Sequence, residues 1–285
     1  MLAYSERRGN YIMRSIFWAI AFTGLAFAQT PAVFQGGVLN GASFAKGQVV
    51  TPGSLVSIFG TSLASQIAEA DTIPLSNTLG GVSVQFVNGD TTLNAPMLYV
   101  QPDNPSQNVT SQLNVQIPWE LVPGGTSATV NVIVDNNGTK SAPVPVSMGP
   151  FSPGIFASGG RAIAVNNSTG ILAWPAGAVP GLTTQPAKPG DVLIVYATGL
   201  GQLQTSPPAD GQNSLEETRQ TLVTPSVFVG GMSAQVLFSG LSPQFVGVNQ
   251  LNIVVPNVPA GDALPIVLNM GGIISPSNIT IAVTQ

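Results

Sequence analysis

Carboxylate side chains offer most of the chemistry in this sequence, because the chain contains neither histidine nor cysteine. That composition excludes the Ser-His-Asp and Cys-His arrangements of nucleophilic catalysis and the usual ligand set of a zinc site. Two acids that flank one glycosidic bond can still hydrolyse it. The acids that such a pair would draw on are Glu120, Asp135, Asp191, Asp210, Glu216, Glu217 and Asp262. Most of them stand beside turn residues, where solvated carboxylates are ordinary, so we predict no catalytic residue and no enzyme.

The segment DNNG, residues 135–138, has the composition of a calcium loop but lacks the later ligands and the closing glutamate. It also lies between two alternating apolar runs, which favours a plain hairpin turn. We therefore predict no metal and no cofactor. Calcium held at a domain junction by carbonyl groups and scattered aspartates is the alternative.

Two tryptophans and one acid are the candidate ligand contacts. Trp119 and its neighbour Glu120 follow the proline that ends a predicted strand, and Trp174 lies in an irregular passage. An exposed indole gives a sugar or a protein partner a flat apolar platform with one polar N–H group. The alternative is that both tryptophans close the ends of a β-sandwich.

The balance of charge limits the possible partners. The chain has 8 basic and 12 acidic residues, for a net charge of −4, and residues 29–285 keep 11 of the acids but only 5 of the bases. Without a basic patch we expect no nucleic-acid partner. The partner expected instead is an extracellular protein or glycan.

The first 28 residues are typical of an export signal. Arg14 precedes an apolar stretch at residues 16–25, and Ala26-Phe27-Ala28 fits a signal-peptidase site, so we predict cleavage after Ala28. The stretch is too short to span a bilayer, which needs about 20 residues. The mature protein is thus expected to be secreted or at the cell surface, without membrane insertion. The sequence allows either Met1 or Met13 as the start.

One phrase occurs twice, as SQLNVQIPWELVPGG at residues 111–125 and NQLNIVVPNVPAGD at residues 249–262. TPGSLVSIFGTSLA at residues 51–64 matches KPGDVLIVYATGLG at residues 188–201 in the same order and at nearly the same offset. Matched blocks in one order predict a duplicated unit of domain size.

Each unit has the pattern of strands. In residues 113–117, Leu113, Val115 and Ile117 alternate with Asn114 and Gln116, which predicts a core face and a water-facing amide face. The same alternation marks residues 82–86 and 128–134, whereas residues 192–197 are apolar on both faces and fit a central strand.

The turn signals agree with strands. Asn88-Gly89 and Asn137-Gly138 separate alternating runs and predict tight hairpins, since such turns need positive φ. Long helices are not expected, and the sequence leaves room for short helical turns near residues 63–70 and 215–219.

These features predict an all-β chain of two tandem immunoglobulin-like antiparallel sandwiches after the signal peptide. The predicted domains are residues 29–150 and residues 151–285, the second with an irregular lead-in at residues 161–189. The apolar segment at residues 30–44 suggests a third role, in which it adds to the open sheet edge of a neighbouring molecule.

The ordered blocks TPGSLVSIFGTSLA, LGGVSVQFVNG and LNVQIPWELVPGGTSATVNVIVDNNG resemble IPT/TIG domains, a branch of the immunoglobulin-like fold. With NGASF, PGIFASGG and AGDALPIVLNMGGIISPSNITIAV, the whole arrangement resembles a C-terminal domain family of secreted proteins that is common in acidobacteria (Solibacter-type) and uncharacterised in function. The resemblance spans residues 38–283 and implies an immunoglobulin-like fold without catalytic residues. IPT/TIG relatives include transcription factors, receptors and accessory modules of glycan-degrading enzymes, so the fold alone does not select a function.

The sequence thus predicts a secreted, non-enzymatic binding, adhesion or structural module that can self-associate through its sheet edges. The alternative is a carbohydrate-recognising accessory module or a degenerate glycan-active enzyme.

Overall fold

The computed structural model describes residues 29–285, and this part of the chain is all-β. The predicted signal peptide lies outside the described residues. Three single-turn 3-10 helices occur, at Pro105–Gln107, Trp119–Leu121 and Pro123–Gly125. Residues 63–70 and 215–219, where the sequence leaves room for short helical turns, form no helix, and the first of these segments contains a short strand. In residues 29–285 no helix has the length and apolar character needed to cross a membrane.

The first ten strands form two antiparallel sheets. They are β1 Ala32–Asn40, β2 Leu55–Thr61, β3 Ala68–Glu69, β4 Val82–Asn88, β5 Thr91–Asn94, β6 Met97–Gln101, β7 Ser111–Gln116, β8 Ala128–Asn136, β9 Thr139–Lys140 and β10 Val144–Met148. One sheet has the order β1-β2-β7-β6-β3, and the other has the order β10-β8-β4-β5 with β9 beside β8. The apolar faces of the two sheets enclose one core, which makes this half a β-sandwich.

The alternation in the sequence explains this core. Leu113, Val115 and Ile117 are completely buried, as are Val84 and Phe86 from the facing sheet. Burying one such side chain stabilises the fold by about 1.5–3 kcal/mol. The apolar faces predicted for these strands are therefore confirmed.

The remaining strands form a third sheet. They are β11 Gly154–Ile155, β12 Ala157–Ser158, β13 Arg161–Ala162, β14 Ala164–Asn166, β15 Val192–Thr198, β16 Ser226–Val229, β17 Met232–Leu241, β18 Asn249–Val254, β19 Gly261–Met270, β20 Ile273–Ile274 and β21 Thr280–Val283. The order is β11-β15-β18-β17-β16-β19-β21-β13-β12, with β14 beside β15 and β20 beside β19.

Strand β17 connects the two parts of the third sheet. Its C-terminal residues pair with β18 and its N-terminal residues pair with β16, and the register shifts between Val236 and Phe238. Residues from both parts, including Leu193, Leu251 and Ile266, pack into a second core. Strand β15 lies inside the sheet, between β11 and β18, as its two apolar faces predicted.

Both predicted hairpins are present, but the first loop lies one residue later than predicted, at Gly89 and Asp90, because Asn88 pairs with Thr91 as the last residue of β4. Asn137 and Gly138, with φ angles of 52° and 86°, connect β8 to β9 in the two-residue turn that favours Asn-Gly. Gly138 N–H also donates to the Asp135 carboxylate at 2.7 Å, so this carboxylate completes a turn. Gly89 has a φ of 57° in the turn between β4 and β5.

Equivalent hydrogen bonds occur in the two halves. The amide of Gln112 donates to Asn114 at 2.8 Å, and that of Gln250 donates to Asn252 at 2.9 Å, within the two copies of the Gln-Leu-Asn phrase. The backbone N–H groups of Val134 and Leu268 donate to hydroxyls seven residues later, at 3.0 and 2.9 Å. These bonds recur at the offsets that relate the matched sequence blocks.

The segment proposed to add to a neighbouring molecule has a partner within its own chain. Strand β1 pairs antiparallel with β2, from Ala32 opposite Thr61 to Asn40 opposite Val56. In this structure the segment is an integral strand of the first sheet.

Candidate ligand-binding site

Here the first half means residues 29–150 and the second half means residues 151–285. The second half covers the end of β7 that carries Gln116. The sequence predicted that Gln116 points toward water, but the side chain is completely buried. Its carbonyl oxygen accepts the Gly211 N–H at 2.8 Å, and its amide nitrogen donates to Gly53 O at 3.4 Å. The prediction was wrong because the alternation that marks a strand cannot show whether another part of the chain covers its polar face.

Other buried polar groups join the same two halves. The Thr198 hydroxyl of β15 accepts the Leu55 N–H at 3.0 Å and donates to Gly247 O at 2.8 Å. The Asn40 amide donates to Ser152 O at 2.6 Å. Because Thr198, Asn40 and Ser152 are all at least 98% buried, these bonds fix the halves in one relative position.

Trp119 and Glu120 lie at the edge of this junction, in the 3-10 turn after β7. The turn begins there because Pro118 has no N–H with which to continue the strand ladder. It is anchored by Leu121, whose side chain is buried and whose carbonyl accepts the Asn88 amide at 2.9 Å. The Trp119 ring is half-buried against Gly53, while Glu120 is exposed.

Asp210, from the second half, joins these two residues. Its carboxylate accepts the Trp119 backbone N–H at 3.0 Å. The pKa of Asp210 is raised from 3.8 to about 6, chiefly by burial and also by charge repulsion and a hydrogen bond with Glu120, while the Trp119 N–H group acts to lower it. The structure thus brings together two of the acids from which a catalytic pair would be drawn, Glu120 from the first half and Asp210 from the second.

A cleft of about 200 Å³ opens beside this pair. The first half contributes an aromatic ring, a carboxylate and a hydroxyl, and the second half contributes an amide, a hydroxyl and two apolar side chains. The lining residues are Thr51, Pro52, Trp119, Glu120, Gly125, Gly201, Gln202, Leu203, Thr205 and Pro207. Such a surface can pack against a flat ring and exchange several hydrogen bonds at its edge.

Trp174, the third predicted contact, lies elsewhere. It is only 4% exposed, and its indole N–H donates to Ala162 O at 2.6 Å. Its ring therefore belongs to the interior of the second half and offers no platform, which corresponds to the sandwich-closing alternative.

The indole N–H of Trp119, unlike that of Trp174, has no hydrogen-bond partner within the described part of the chain. Among residues 29–285 its Nε1 is the only buried side-chain nitrogen or oxygen without a hydrogen-bond partner. Burying a donor without a partner costs free energy, so such a group calls for an explanation, often a water molecule or a ligand. Trp119 is thus the tryptophan with unused bonding capacity, and it borders the cleft.

The sequence did not indicate Asp210 as a ligand contact, although it is one of the acids from which a catalytic pair would be drawn. The residue stands between Ala209 and Gly211, a context typical of a solvated turn carboxylate. Nothing local indicates that it contacts a tryptophan 91 residues earlier in the chain. The glycine that follows it is the only signal, since Gly211 adopts a φ of 77°.

A second groove, of about 560 Å³, is mainly apolar. Ile73, Leu98 and Phe245 line it, and the Phe245 ring packs edge-to-face on Tyr196 with 5.8 Å between ring centroids. It has few groups that would orient a polar ligand.

Within the described residues, no three acidic side chains lie close enough to hold a metal ion. Comparison with models of known protein families finds no matching family. Comparison with curated proteins finds no similar protein.

Proposed function

We propose that this protein is a secreted, non-enzymatic binding module whose ligand occupies the cleft beside Trp119. The observation that carries the proposal is the composition of this cleft. It places an aromatic ring, a carboxylate, hydroxyls and an amide in one cleft, and the ring belongs to a tryptophan whose buried N–H group has no partner within the described residues. It lacks the histidine or cysteine that a common hydrolytic nucleophile would need.

The scaffold of this proposal is a pair of tandem immunoglobulin-like, IPT/TIG-like sandwiches, residues 29–150 and 151–285. Support comes from the equivalent strand orders β2-β7-β6 and β15-β18-β17. Support also comes from the registers, since Val56 faces Val115 and Leu193 faces Ile253, at offsets of 137 and 138 residues. The recurring hydrogen bonds of the two Gln-Leu-Asn phrases add to this support. From the sequence resemblance we propose that the chain belongs to the secreted domain family common in acidobacteria.

Carbohydrate is the ligand class that the cleft fits best. A sugar ring has an apolar face that packs on an indole, and its hydroxyl groups both donate and accept hydrogen bonds. Glu120, Gln202 and Thr205 supply acceptors and donors around the Trp119 ring. A protein ligand, or self-association through sheet edges, is the other form of the binding role.

A glycan array with the purified secreted chain tests this proposal. Binding should be lost in Trp119→Ala and kept in Trp174→Phe, a conservative change at a tryptophan outside the cleft. Binding that survives in Trp119→Ala would contradict the assignment of the site. An array without any bound glycan would contradict the ligand class, and protein partners would then be sought.

A degenerate glycan-active enzyme is the second candidate. One observation favours it: a carboxyl with a raised pKa beside a second carboxylate is the arrangement of a general acid and its partner. Hydrolysis assays on a broad glycan panel distinguish the two functions. Turnover that disappears in Asp210→Asn would establish the enzyme and overturn the non-enzymatic assignment.

A further inference from the structure

We infer that the contact of Asp210 and Gly211 with the first half is a proton-controlled clasp, which closes in acid, loosens toward neutral pH and so controls the Trp119 cleft. The clasp consists of three hydrogen bonds across the junction: Trp119 N–H to Asp210, Gly211 N–H to Gln116, and Leu75 N–H to Gly211 O. Their lengths are 3.0, 2.8 and 2.9 Å. The inference rests on the proposed function only where it treats the cleft as the ligand site.

Two adjacent residues make all three bonds, so the clasp closes or opens as a unit. The space around Gly211 allows little adjustment, because a Cβ atom there would lie 2.9 Å from Leu75 O and 3.2 Å from a Pro96 carbon. The Gln116 side chain that accepts the Gly211 N–H is completely buried. Displacing the pair therefore breaks all three hydrogen bonds together, including the buried bond to Gln116.

The clasp brings two acids together, and among residues 29–285 no basic side chain forms a salt bridge with either of them. Glu120 is the titratable group that faces Asp210, while β7 and the other packed segments contribute the neutral residues Gln116, Leu75 and Pro96. Arg219, later in the same segment, pairs with Glu217 at 2.8 Å and donates to Ser206 O and to the Ser214 hydroxyl. A proton on Asp210 therefore removes chiefly the cost of burying its charge and also its repulsion with Glu120.

The sign follows from linkage. The closed clasp raises the pKa of Asp210 from 3.8 to about 6, so the protonated form favours the closed state. This advantage is complete below pH 3.8 and is lost as the pH rises through 6. The full shift corresponds to about a hundredfold change in the closing equilibrium. Because Asp210 is only half-buried, solvent screening reduces the expected change to about ten- to thirtyfold.

Opening of the clasp would alter the cleft from two sides. Trp119 and Glu120 form one wall, and the backbone N–H of Trp119 is itself a member of the clasp. Gln202, Thr205 and Pro207 form the other wall, in the segment that leads from β15 to Asp210. Ligand affinity in the cleft is therefore expected to depend on pH.

Hydrogen–deuterium exchange of the whole secreted chain tests the clasp without any ligand. Peptides that cover residues 116–122 and 207–214 are followed between pH 4 and pH 7.5, with rates corrected for the intrinsic pH dependence of amide exchange. We expect their protection to fall about ten- to thirtyfold with rising pH. A peptide from β4, in the first core, serves as the internal control and should keep its protection.

Three variants make the result decisive. Asp210→Asn keeps an oxygen for the Trp119 N–H but cannot ionise, so the pH dependence should vanish. Glu120→Gln should reduce it, and Asp262→Asn, at an exposed acid of β19, should leave it unchanged. Equal pH dependence in wild type and Asp210→Asn, or a flat wild-type profile, would overturn the clasp. Since glycan binding is measured separately, a missing ligand and a missing clasp remain distinguishable.

Discussion

Thr198→Val is the substitution that tests the polar junction most directly. The Thr198 hydroxyl is completely buried, and it serves the Leu55 N–H and the Gly247 carbonyl at once. Valine has nearly the same shape but no hydroxyl, so the substitution removes both hydrogen bonds while it keeps the packing.

The expected loss of stability comes from the two backbone groups left behind. Each buried group without a partner costs about 1–3 kcal/mol, so we expect the two groups left by Thr198→Val to lower the free energy of unfolding by about 2–6 kcal/mol. Thr198→Ser keeps the hydroxyl and removes one methyl group, which should cost about 1 kcal/mol. The serine variant is therefore the matched control.

Urea unfolding followed by tryptophan fluorescence measures both variants, because Trp119 lies at the junction and Trp174 lies in the second half. We expect the valine variant to have the lower midpoint at an unchanged slope if the halves unfold together. If valine is no more destabilising than serine, the bridging role of the Thr198 hydroxyl is refuted.

Three further predictions concern single sites. Trp174→Phe should lower the free energy of unfolding by about 1 kcal/mol, because it leaves the buried Ala162 carbonyl unpaired. Trp119→Phe removes a donor that has no partner among the described residues, so it should leave stability unchanged or raise it. Urea titrations of the two variants measure the difference. Burial acts to raise the pKa of Asp103, but hydrogen bonds from Ser62 and Ser111 lower it overall. The ionised Asp103 therefore stabilises the fold above pH 3.8, and this contribution is lost as the pH falls further. Asp103→Asn should therefore destabilise at pH 7, by at most about 1 kcal/mol after screening, and less at pH 3, in a denaturation series against pH. Gly211→Ala should cost about 1–3 kcal/mol and speed amide exchange at the clasp, since alanine does not tolerate a φ of 77° and its Cβ would crowd a carbonyl oxygen.

The strands and their inward faces could be predicted because those signals are local. Leu113, Val115 and Ile117 alternate with amides, and the Asn137-Gly138 turn depends on two residues that tolerate positive φ. The all-β class follows from such patterns, each of which spans only a few residues. The placement of Trp119 and Glu120 after a strand-ending proline could be predicted for the same reason.

The junction could not be predicted because its contacts are far apart in the sequence. Asp210 meets Trp119 across 91 residues, and Thr198 meets Leu55 across 143. Gln116 follows the pattern of a solvated strand residue, and only the docking of the second half makes it a buried hydrogen-bonding group. A polar residue on a strand therefore indicates the strand face but not its final environment.

The chemistry of the junction suggests why the cleft would persist as a binding site. An apolar interface can slide at little cost, but displacing this one would leave Gln116, Asn40 and Thr198 buried without partners. The relative position of the halves is thus specified by hydrogen bonds with fixed directions, and the cleft walls inherit that position. Asp210 is the exception. Its carboxyl joins the halves beside the Glu120 carboxylate, and its raised pKa means that ionisation makes this contact less favourable. If the proposed clasp operates, a junction that is fixed at its centre and proton-sensitive at the cleft would keep the cleft walls assembled while the affinity of the proposed ligand changes with pH.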